Sequence, residues 1–157
     1  MRTHAALLVI AFGCGGDKDW SKEALKPATC KFKGHDIEIS VPDGLESKVF
    51  EGQCNWKKDI SAESYVQIMV MDGENNKDAA DAKKWLAGKP TIVKSEDAAD
   101  GGYTLTYTYE DKKLLHADIA KVFGAKKLKC DASAANVKNP DATLDWLVSI
   151  CSSLKEK

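Results

Sequence analysis

Histidine is scarce in this chain. Only three of its 157 residues carry an imidazole, and His4 falls inside the leading apolar run. Any chemistry that needs one must draw on His35, at a predicted hairpin turn, or His116, mid-strand on the parity of Leu114 and Asp118. A nucleophile would still need a base and an orienting group converging on it. No G-x-S-x-G, H-E-x-x-H or P-loop pattern occurs, so the local signatures of acyl transfer, zinc hydrolysis and nucleotide binding are missing. Residues 72–81, DGENNKDAAD, are acidic but lack the glycine and closing glutamate at the spacing of an EF-hand calcium loop. The chain is expected to be no enzyme, with no catalytic residue, no metal and no cofactor.

Charge of one sign is also lacking. Lys and Arg number 23 against 24 Asp and Glu, and no basic cluster is interleaved with stacking aromatics. A chain of this kind does not track a phosphate backbone, and no nucleic-acid partner is expected. Long hydrophobic runs are absent too. The longest, Ala5 to Gly13, would span roughly 14 Å as a helix, against a hydrocarbon core of about 30 Å.

What is present is an address. Arg2 precedes that short apolar run, which is the layout of an export signal. The run ends in Ala11, Phe12, Gly13 and Cys14, and this AFGC stretch resembles the lipobox of bacterial lipoproteins. The resemblance implies a signal peptide over 1–13, removed just before Cys14, whose thiol and new amine are then acylated. Two or more acyl chains hold a protein firmly on a membrane, whereas one does not. A simple secretory signal, or a buried strand carrying the cysteine by chance, are the alternatives. Loss of Arg2 with the signal leaves 22 basic against 24 acidic residues, a formal charge near −2.

Five cysteines is an odd count. With Cys14 acylated, Cys30, Cys54, Cys130 and Cys151 remain, an even number suited to an oxidising compartment. Three pairings are open. Cys30–Cys54 with Cys130–Cys151 is preferred, because each pair is close in sequence and joins adjacent predicted elements. Zinc would ask for tighter C-x-x-C spacing.

Residues 14–27 are glycine-rich at first and reach Pro27 near their end. They are expected to be a tether that lets the body stand off the membrane, with Trp20 as the exposed aromatic. A single globular domain should occupy 28–157. Its opening, TCKFKGHDIEISVP, alternates as a hairpin with one buried face. Short strands are expected near Val49–Phe50 and Cys54–Trp56. SYVQIMVM (64–71) is apolar on both parities, so a layer is expected on each side of it. A helix should start at an Asn76 cap, pack Ala79, Ala82, Trp85 and Leu86, and stop at Gly88. A four-strand meander follows, in which Tyr103, Tyr107 and Tyr109 read as core rather than as a glycan or peptide platform. A last helix opens at Asn139-Pro140 and places Cys151 on its apolar stripe, toward Cys130.

The expected class is α+β: an antiparallel sheet with helices packed on it. With its IEISVPDGL and closing SSLK, residues 28–156 resemble the PsbP-like fold of small envelope proteins. Members of that family dock onto other proteins and share no catalytic residues. The resemblance therefore implies a lipid-anchored protein of the bacterial envelope, on the outer membrane or periplasmic face, acting as an interaction or accessory module on an envelope partner. A small-ligand or glycan-binding module is the alternative, and an envelope enzyme using His116 or a carboxylate pair the least favoured.

Overall fold

A computed structural model describes residues 18–50 and 52–157. The signal segment and Cys14 lie outside the described residues. Strands β1 (Leu25–Phe32), β2 (His35–Pro42) and β10 (Lys155–Glu156) form a three-stranded sheet in the order β1-β2-β10. A second, seven-stranded sheet is built from β3 (Glu46–Phe50), β4 (Gln53–Asp59), β5 (Tyr65–Asp72), β6 (Thr91–Asp97), β7 (Tyr103–Tyr109), β8 (Leu114–Phe123) and β9 (Lys126–Ala135). Its order is β3-β4-β5-β9-β8-β7-β6, antiparallel throughout. Helix α1 (Ala79–Lys83) precedes β6, and α2 (Pro140–Ser152) follows β9.

The first hairpin forms as its alternation requires. Phe32 sits directly opposite His35, leaving Lys33 and Gly34 as a two-residue turn with φ of 45° and 79°. Positive φ at both positions matches the twist of the flanking strands. The hairpin's apolar face (Cys30, Phe32, Ile37, Ile39 and Val41) and the apolar stripe of α2 close over one face of the large sheet. There they meet Cys54, Trp56, Val66, Ile68, Val70, Leu115, Ile119, Leu128 and Cys130 in a single core. Both preferred disulfides form across this interface. Cys30–Cys54 ties the small sheet to β4, with Cα atoms 6.3 Å apart. Cys130–Cys151 ties β9 to α2, with Cα atoms 5.3 Å apart.

The fold class departs from expectation. Strand accounts for 52% of the described residues and helix for 15%, so this is a mostly antiparallel β structure in two sheets, not a helix-packed α+β body of PsbP-like type. Three local causes account for the difference. The expected helix over 76–88 is five residues long and is capped by Asp78, whose carboxylate accepts from the Asp81 amide at 2.7 Å. Residues 84–86 then tighten into bonds to the third residue back, and Trp85 leaves the packing stripe for solvent. Asn76 does not cap; its side-chain amide donates to Tyr103 Oη at 3.2 Å. At the C-terminus Leu154 is buried and Lys155–Glu156 leave the helix to pair with β2.

The third cause lies in the expected tether. In its described part that expectation is corrected, because β1 already begins at Leu25. Trp20 is buried completely, its ring stacked on Trp146 with centroids 6.0 Å apart. The Trp146 indole N–H donates to the Glu23 carbonyl, and the Lys138 amide to the Lys18 carbonyl. The segment is therefore part of the body.

Candidate functional site

The large sheet has a second face, and it is only partly covered. Helix α1 lies over β6 and β7, where Ala79 and Ala82 bury Tyr103, Leu105 and Tyr107. Strand β5 was expected to be covered on both sides. Val66, Ile68 and Val70 are indeed buried, but Tyr65, Met69 and Met71 are only half-buried, because α1 is too short to reach them. Alongside, Phe50 on edge strand β3 is 48% exposed. All five residues of β3 face solvent, and among the described residues its outer edge has no strand partner. Phe50, Glu46, Lys48, Asn55, Lys57 and Asp59 line an open cleft of about 490 Å³. Gln67 Nε2 donates to Asn55 Oδ1 across β4 and β5, and Lys57 pairs with Asp59 at 3.0 Å. The result is an apolar and amide-bearing surface with charges of both signs at its rim.

Toward the middle of this face the register gathers titratable groups. Asp118 on β8 stands opposite Asp131 on β9, and His116 opposite Ser133. Tyr103 Oη donates to Asp118 Oδ1 at 3.0 Å, and Lys129 Nζ lies 3.5 Å from Oδ2. Burial pushes the Asp118 carboxyl up to about 6; Lys129 pulls it back and the charge of Asp131 adds to the rise. Burial likewise raises Tyr103 and Tyr107, helped by the charges of Asp118 and Asp131 respectively. The His116 ring stacks on Tyr107 at 4.7 Å, nearly parallel. Its Nδ1 is 3.7 Å from Asp131 Oδ1, and that buried nitrogen has no hydrogen-bond partner.

His116 was singled out from sequence, and its side chain is only 18% exposed rather than open to bulk water. Asp131 and Ser133 were missed as its neighbours, because nothing short of the β8–β9 register reveals them. Serine, histidine and aspartate thus share one face, yet no hydrogen bond joins Ser133 to His116. Neither the cleft described above nor a smaller hollow of about 210 Å³ by Tyr103 and Lys121 contains His116 or Asp131. Among the described residues, Ser133 has no hydrogen bond to His116 that would activate it as a nucleophile.

His35 packs against Phe32 and lies 3.4 Å from Glu156 Oε1, joining β2 to β10. Among the described residues no group of three or more His, Cys, Asp or Glu could hold a metal, and no helix is long and apolar enough to cross a membrane. Tyr103 and Tyr107 are buried beneath α1 and offer no platform; Tyr109 spends its hydroxyl on the Ala87 carbonyl at 2.8 Å. No family model matches the chain, and a search of curated proteins finds no match either.

Proposed function

We propose that this chain is a lipid-anchored protein of the bacterial envelope that works by contact with another envelope protein, using the uncovered face beside β3. The observation that carries the reading is the pairing of an unpartnered edge strand with half-exposed Tyr65, Met69 and Met71 and exposed Phe50. A free edge offers main-chain donors and acceptors to an added strand, and side chains beside it give selectivity. Methionines adapt to a partner's shape at little cost. The AFGC stretch supports the anchor, and two disulfides are what an oxidising compartment favours.

A photo-crosslinking amino acid at Phe50 tests the reading, with one at Lys31 on the small sheet as control. A discrete adduct from Phe50 alone, lost when Met69 is changed to Lys, is the expected result. Equal labelling from both positions would contradict it. The cleft supports a second reading, a small-ligand or glycan module, since its volume falls within the range of ligand sites. A ligand at 100 times its Kd would add about 2.7 kcal/mol of stability; melting curves that stay flat across a broad compound library would remove this reading.

A further inference from the structure

Trp85 is 77% exposed, while Trp20, Trp56 and Trp146 are buried. Indole, with an apolar body and a polar N–H, favours the water–lipid boundary. The position of Trp85 relative to the chain's beginning gives it one. Tyr109, whose hydroxyl binds the carbonyl of Ala87, ends β7. The turn after it reaches Lys113, whose carbonyl accepts from the Asn136 amide at 2.7 Å. Two residues on, the Lys138 amide donates to the carbonyl of Lys18. On the other side, Asn136 Nδ2 donates to the Glu63 carbonyl at 2.6 Å, in the turn that carries Ile60, itself 43% exposed. The tail of α1, the β4–β5 turn and the point where the described chain begins therefore lie at one end of the large sheet. Ile60 lies in that β4–β5 turn, and Trp85 stands two residues before the Ala87 that Tyr109 binds.

Four residues of advance separate Cys14 from Lys18, so the two are at most about 14 Å apart. With Trp20 locked into the core, little slack remains between the acylated cysteine and the body. We infer that the body rests directly on the bilayer by this end, with Trp85 and Ile60 seated among the lipid headgroups and upper acyl chains. The inference rests on the reading of Cys14 as acylated. Lys113 and Lys138 are exposed there without a carboxylate partner among the described residues, but Glu110 and Asp111 share the same turn. The contact is thus apolar in origin and insensitive to salt. It also leaves Phe50, at the opposite end of β3, free to meet a partner beside the membrane.

The test uses the full chain extracted from its membrane, with its mass checked for acylation, then placed in phosphatidylcholine vesicles with plain or brominated acyl chains. Bromine quenches indole only at close range, and Trp85 is the exposed tryptophan. The expected result is loss of most Trp85 emission in brominated vesicles, unchanged at high salt. It should be absent from acylated Trp85→Phe and weakened in Ile60→Ser. Acylated protein whose emission is the same in both vesicles would overturn the inference while leaving the anchor intact, as would quenching that survives Trp85→Phe. A mass without acyl chains would instead remove the anchor, and the inference with it.

Discussion

Single residues carry unequal weight in this body. Trp20 fills the gap between the start of the chain and α2, buried and stacked on Trp146. Truncation to alanine leaves a cavity that the disulfide-tied core cannot close. Trp20→Ala should lower unfolding free energy by about 3–5 kcal/mol in urea titrations. Asp118 works in the opposite sense. Its folded carboxyl titrates near 6 because it is buried, against an ordinary value of 3.8. Folding therefore takes up a proton between about pH 4 and pH 6, and stability from this group is lost as the pH rises through that window. The loss is of the order of 3 kcal/mol at neutral pH. Asp118→Asn keeps an acceptor for Tyr103 and removes the titration. Urea midpoints from about pH 4 to about pH 7 should fall in the wild type and flatten in the variant.

Elements hold together where side chains of opposite layers meet. The Cys130–Cys151 bridge closes a separation of 21 residues between β9 and α2, and Cys130→Ser with Cys151→Ser should cost roughly 3 kcal/mol by thermal or urea unfolding. Its partners were legible from sequence because Cys151 shares the apolar stripe of α2 with Leu144 and Leu147, both buried. The hairpin and the meander were legible for the same reason: alternation and turn residues are local signals. What stayed hidden was decided by competition between distant segments. Trp85 continues the helical spacing, yet the chain tightens after Lys83. WSKEALKPAT looks like a spacer, yet Trp20 finds Trp146 and β1 pairs with β2 along its whole length. Lys155 and Glu156 extend a helix on paper, but Lys155 and Lys157 both reach Glu38 and the chain pairs with β2 instead. The face bearing His116, Ser133 and Asp131 needed the strand register, which no periodicity encodes.

For the molecule as a whole, the short link between Cys14 and a folded Lys18 changes the picture drawn from composition. A stand-off tether would leave the body free to tumble above the membrane. A body held by its end, as inferred above, would have one orientation, with Phe50 at the end of β3 away from the bilayer. In the proposed arrangement, acylation at Cys14, the two disulfides and the buried Trp20 would together moor a compact β body beside a partner. Intact mass of the membrane-extracted protein, taken before and after reduction, tests this most directly. The account predicts a chain starting at Cys14 with acyl chains added, gaining the four hydrogens of two reduced disulfides. A chain that still begins at Met1, bears no lipid and gains nothing on reduction would contradict it.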